Sequence, residues 1–99
     1  MMYKLELSNE AEEDIVIATD YYSEQSDGLG VRFLKEVYII LDKIAEHPTY
    51  YKYLSGKGNK HFRYTRIKGF PFIVIFRIDD KNIIVSAVHN TWKDDKRQD

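Results

Sequence analysis

The sequence contains no cysteine, which excludes a disulfide framework and any thiolate metal site. It has no apolar run of membrane-spanning length. Its opening stretch, MMYKLELSNEAEED, lacks the apolar core of a signal peptide. A cytoplasmic location, without a membrane partner, fits these absences. Glycine is sparse, and no phosphate-binding glycine loop of the usual spacings occurs. No serine or cysteine nucleophile motif is present either. The histidines, His47, His61 and His89, lie far apart with no local metal-ligand spacing. No cofactor or metal is therefore expected.

Net charge is also nearly absent, at −1, but its distribution is uneven. Residues 1–51 hold 4 Lys/Arg against 11 Asp/Glu, and residues 52–99 hold 11 against 5. An acidic half followed by a basic half implies one acidic and one basic face if the halves separate in space. A basic face suits nucleic acid or an acidic protein segment. The bland alternative is two halves that attract one another and are otherwise solvated.

At 99 residues the chain reads as one domain, 1–99, able to bury one modest core. The only long apolar stretch is FPFIVIFRIDDKNIIVSAVHNTW, residues 70–92. Residues 72–77 are apolar on both faces, as expected of a central strand buried on two sides. Residues 79–82 form a polar turn, and 83–88 are again largely β-branched. The spacing predicts a hairpin whose second strand ends in the polar-aromatic cluster His89, Asn90, Thr91 and Trp92.

The remainder supplies packing for this hairpin. Tyr3, Leu5 and Leu7 alternate with Lys4 and Glu6, giving a short strand. Ser8 and Asn9 are both good N-caps, and Asn9 with Glu12 has capping-box spacing. Ala11, Ile15, Ala18 and Tyr22 recur at helical intervals, and residues 23–30 read as a turn. A second helix is expected over about 29–46, ended by Pro48. The short link folds the two helices into an antiparallel hairpin. Residues 49–60 read as an irregular, mobile loop with Gly56 and Gly58. Residues 61–67 alternate again, with Phe62, Tyr64 and Arg66 on one side and Arg63 and Thr65 on the other. The order is β-α-α-β-β-β, an α+β fold in which a helical hairpin packs on an antiparallel sheet. The first strand pairs either at an edge or with the last strand. The tail from Lys93 is charged and expected to fray.

Candidate functional residues follow from this layout. Arg63 and Arg66 on an open sheet face suit phosphates or an acidic partner, and equally suit capping the acidic first helix. His89 at a strand end fits a general base, a phosphate donor or a structural edge residue. Tyr50, Tyr51, Tyr53 and Tyr64, interleaved with lysines, fit base stacking, a peptide grip or the rim of the core. Trp92 fits an exposed anchor or a plug over the end of the sheet.

Taken together, these features resemble the RelE/ParE superfamily of toxins from toxin–antitoxin modules, particularly its ParE-like plasmid stabilization branch. The carriers are Ala11, Asp14-Ile15, Tyr21-Tyr22, Gly28-Leu29-Gly30, Phe33-Leu34, Ile44, His47-Pro48, Tyr51, Arg63, Arg66, Phe70-Pro71-Phe72 and Val88-His89. The resemblance implies the same β-α-α-β-β-β fold and a toxin neutralised by a cognate antitoxin, as a homodimer or a hetero-oligomer with it. Its RelE-like branch cuts messenger RNA on the ribosome, and its ParE-like branch poisons DNA gyrase without being a nuclease. For the nuclease, the matching catalytic groups are Arg63, Arg66, His89 and Lys93. The basic pair usual on the strand at 61–67 is reduced to Arg63 and Thr65, and Phe72 stands where the nuclease carries an arginine. The Phe70-Pro71-Phe72 turn is similar to the ParE-like form. The expectation is therefore a protein-binding toxin rather than an enzyme, with Arg63, Tyr64, Arg66, His89, Trp92 and Lys93 contacting target or antitoxin. A degenerate member that only binds the antitoxin is a further alternative, since the arginine that often follows the His in the ParE-like branch is absent before Arg97.

Overall fold

Ser8 ends the first strand and starts the first helix. In the computed structural model, which describes residues 3–54 and 60–92, its backbone N–H donates to the Val85 carbonyl at 2.9 Å. Its hydroxyl accepts from the Ala11 N–H and donates to the Ser86 carbonyl, both at 3.0 Å. Ser8, not Asn9, is thus the N-cap, and the expected Asn9–Glu12 box is not the one used. The short serine wins because its hydroxyl reaches the helix and the neighbouring strand together.

The elements are β1 (Lys4–Leu7), α1 (Asn9–Gln25), α2 (Leu29–Glu46), a short 3₁₀ turn (Pro48–Tyr50), β2 (Phe62–Arg66), β3 (Phe72–Asp79) and β4 (Asn82–Asn90). α1 runs through Gln25, further than periodicity suggests, and Gly28 makes the sharp turn at φ 79°. α2 then crosses α1 closely. A Cβ on Gly30 would collide with the Ser23 hydroxyl and come within 2.8 Å of the Thr19 carbonyl oxygen.

The sheet order is β1-β4-β3-β2. β2, β3 and β4 form the expected antiparallel meander. β1 joins β4 in parallel, Leu5 opposite Ile83, so the whole sheet is mixed. Asp80 takes the positive φ (60°) that the first central residue of a tight hairpin turn needs. The pairing slips once, between Ile75/Phe76 and Ala87/Val85, leaving Ser86 as a bulge.

Both helices cover one face of the sheet. Phe33, Val37 and Ile44 meet Val74, Phe76, Ile83 and Val85, all wholly buried. Each such large side chain contributes about 1.5–3 kcal/mol relative to exposure. At one end, Tyr22, Phe33, Phe70 and Phe72 pack as tilted and edge-to-face rings with centroids 4.9–6.2 Å apart. The other face of β3, expected to be buried as well, is half-exposed at Ile73, Ile75 and Arg77. Nothing among the described residues covers it. The apolar run reflects a face suited to contact rather than a second core.

Candidate functional site: the open face of the sheet

Register decides which side chains share the open face, because residues paired across neighbouring strands point the same way. One row reads Arg66, Ile73, His89, and the next reads Tyr64, Ile75, Ala87. A third reads Phe62, Arg77, Ile84 and, across the parallel pair, Glu6. The middle of the face is therefore aliphatic and aromatic, and cations stand around it. Arg66 is exposed, while Tyr64, Ile73, Ile75, Ile84 and His89 are half-buried. Arg77 lies 3.7 Å from Asp79 in a solvent-exposed pair that holds it only weakly. Arg66 and His89 sit about 10 Å apart at the backbone, two interstrand steps.

Arg63 is elsewhere. It pairs with Phe76 and lies on the opposite side of β2 from Arg66. Its guanidinium donates to the Tyr51 carbonyl at 2.7 Å, the Thr49 carbonyl at 3.3 Å and the Tyr53 hydroxyl at 2.9 Å. It also lies over the Tyr53 ring, 4.1 Å from its centroid. Lys52 and Leu54 bond β2 through Tyr64 N–H to Lys52 C=O and Leu54 N–H to Phe62 C=O. Arg63 thus clamps residues 49–54 onto the sheet edge. The tyrosines of this segment divide in role. Tyr51 packs against Phe76, and burial, with a smaller effect of Tyr50, raises its phenol pKa. Tyr50 stays exposed. A shallow hollow of about 480 Å³ lies between Tyr50, Lys52, Tyr64 and Arg66.

Trp92 is exposed just past the end of β4, its backbone N–H donating to the Asn90 carboxamide oxygen at 2.9 Å. It stands at the mouth of a larger groove of about 770 Å³ between α1 and the Phe70–Pro71 turn. Lys93 falls outside the described residues. Among the six proposed contact residues, the structure therefore brings Tyr64, Arg66 and His89 onto one face, sets Arg63 on the other side of β2, and places Trp92 beside His89 along the groove rather than next to Tyr64 and Arg66. Sequence reading missed Ile73, Ile75, Ile84 and Arg77 as part of this surface. The available signal was the alternation of the three isoleucines with buried neighbours, hidden because both sets are apolar. It also missed Asp14, whose carboxylate accepts from the Val88 N–H at 3.0 Å just beyond the bulge.

Charge is partly segregated among the described residues. α1 carries six carboxylates (Glu10, Glu12, Glu13, Asp14, Asp20, Glu24) and no Lys or Arg. Arg63, Arg66 and Arg77 lie on the sheet. Among the described residues no three His, Asp or Glu side chains are placed to hold a metal ion. No helix among them is long and apolar enough to cross a membrane.

The fold is shared with solved toxins. One similar structure is a chromosomal ParDE toxin–antitoxin system from P. aeruginosa, with a TM-score of 0.74 and 15% identity over 90% of this chain and 96% of that one. The E. coli DinJ-YafQ toxin–antitoxin complex gives 0.66 and 13%, over 94% and 97%. The YoeB dimer from Staphylococcus aureus gives 0.62 and 17%, over 89% and 95%. No curated protein matches the sequence closely. The ParE toxin family of the type II toxin–antitoxin system parDE matches residues 5–93. Spanning the helical hairpin and every strand but the first residue of β1, this match shows that the chain belongs to the ParE toxin family of type II toxin–antitoxin systems.

Proposed function

We propose that this toxin acts by gripping a protein, DNA gyrase, through the open face of its sheet, and that a cognate antitoxin neutralises it. The observation that carries this reading is the composition of that face. Ile73, Ile75, Ile84 and Tyr64 supply a dry centre, and Arg66 and Arg77 supply a cationic margin. Protein interfaces combine an apolar centre with arginine and aromatic anchors in this way. The antitoxin segment that suits the same face is acidic, partly disordered and folded by binding. A gyrase target places the protein in the cytoplasm.

Ribonuclease chemistry needs a base, an acid and positive charge converging on one phosphate. Arg63, one of the groups the nuclease reading requires, is engaged with Thr49, Tyr51 and Tyr53. The nuclease reading keeps one supporting observation: Arg66 and His89 occupy the same cross-strand row. Expression of the protein alone in a bacterial cell separates the readings. Growth arrest with a DNA-damage response and intact messages is the expected result. Arrest with cut messages, abolished by His89→Ala, would replace gyrase by messenger RNA. Growth without arrest would leave an antitoxin-binding protein that poisons nothing.

A further inference from the structure

α2 buries Phe33, Val37, Leu41 and Ile44 and turns a different stripe to solvent. Arg32, Ile39 and Glu46 recur at intervals of seven, so they lie in one line down that exposed side. Lys35 and Asp42 form a row on one flank of this line, and Glu36 and Lys43 a row on the other. Ile39 stands at the midpoint, 47% exposed, and Tyr38 beside it is 59% exposed. An apolar middle with a charged rim is the composition of a contact surface. Among the described residues, none of these charges is held in an ion pair.

The order of the charges selects the partner. About Ile39, Arg32 mirrors Glu46, Lys35 mirrors Asp42 and Glu36 mirrors Lys43, so each mirrored pair joins opposite signs. A twofold axis through Ile39 that lays two copies of this helix face to face makes them antiparallel and sets each flank against the same flank of the other copy. Arg32 then meets Glu46 of the second copy, Lys35 meets its Asp42, and Glu36 meets its Lys43. The Ile39 and Tyr38 side chains of both copies fill the middle. Parallel pairing would set Lys35 on Lys35 and Asp42 on Asp42, and like charges reject it.

We infer that α2 pairs with α2 of a second copy of this chain, antiparallel and centred on Ile39, to form a homodimer. α2 lies on the covered side of the sheet, so both open faces point outward from the pair. The dimer is a bivalent form of the toxin, whichever molecule the open face grips. One helix pair buries less than a standard interface, so dissociation on the order of 1–100 μM is expected.

Sedimentation of the full chain from about 1 to about 300 μM brackets that range and should show monomer passing into dimer. Ile39→Glu sets two carboxylates on the axis and should weaken association at least tenfold. Lys35→Glu meets Asp42 of the other copy twice across the axis and should weaken it by roughly three- to tenfold. Adding Asp42→Lys to Lys35→Glu should restore it, a rescue that only this register gives. Arg66→Glu, on the open face, should leave association unchanged. Because the chain has no cysteine, a short bismaleimide should link Ile39→Cys into a covalent dimer and leave Glu13→Cys, on exposed α1, monomeric. All the substituted positions are exposed, and an unchanged melting temperature checks that each variant folds. A monomer at every concentration, full association of Ile39→Glu, or a failed rescue would overturn the inference. So would association lost in Arg66→Glu, which would move the contact to the open sheet face.

Discussion

On the covered side of the sheet, Val74, Phe76, Ile83 and Val85 are wholly buried beneath the two helices. On the other side, Ile73, Ile75 and Ile84, their immediate neighbours in sequence, stay half-exposed among Arg66, Arg77 and His89. The same two strands therefore carry two surfaces of similar hydrophobicity and opposite fate. What separates them is the helical hairpin over one and the exposed cations Arg66 and Arg77 beside the other, since Arg63, the arginine of the covered side, is held at the sheet edge by Thr49, Tyr51 and Tyr53. Stability belongs to the first face and recognition to the second, so substitutions on each should have separable consequences.

The largest effect on stability is expected at the covered face. Phe76→Ala removes a wholly buried ring that helices and strands enclose, and should cost about 3–5 kcal/mol in denaturant unfolding. Gly30→Ala forces α1 and α2 apart at Thr19 and Ser23 and should cost about 1–3 kcal/mol. A loss near 0 would mean that the helices re-pack freely. Arg63→Ala should cost about 1 kcal/mol and speed hydrogen exchange at the Leu54 and Tyr64 amides, which bond the clamped segment. If exchange there were unchanged, Arg63 would be free for binding after all.

A smaller loss is read against pH. Burial, with a lesser effect of Tyr21, raises the Tyr22 phenol pKa above its usual 10.0, and Tyr51 behaves likewise. The folded chain then holds these protons more tightly than the unfolded chain. Their contribution is complete below pH 10.0 and falls as pH rises through the folded-state values. Tyr22→Phe with Tyr51→Phe should flatten that alkaline decline. The smallest effect on stability, within about 0.5 kcal/mol, is expected for Arg66→Glu on the open face, where antitoxin or target affinity should instead collapse.

Local pattern made much of this legible. α2 follows its apolar period to Glu46, and the β2–β4 meander follows its turns. Long-range features left no local trace. Pairing of β1 with the last strand is one of two expectations from the sequence, but its parallel direction is not legible there. This pairing, the bond from Val88 to Asp14 and the bond from Ser8 to Ser86 join residues more than 70 positions apart. At the site, Tyr64, Arg66 and His89 were nameable from residue type and position. The separation of Arg63 from Arg66 required their opposite faces, which alternation showed, and the clamp at Thr49, Tyr51 and Tyr53, which it did not. Ile73 and Ile75 read as core because an apolar contact face and a core share one composition.

Gripping of a protein by the open face is open to direct measurement. Its most direct test adds the purified toxin, and its Arg66→Glu variant, to purified DNA gyrase with supercoiled plasmid and measures trapped DNA breaks. Breaks are expected with the native chain, and few or none with Arg66→Glu at an unchanged melting temperature. Unaffected gyrase, together with cleavage of ribosome-bound message by the same preparation, would contradict it.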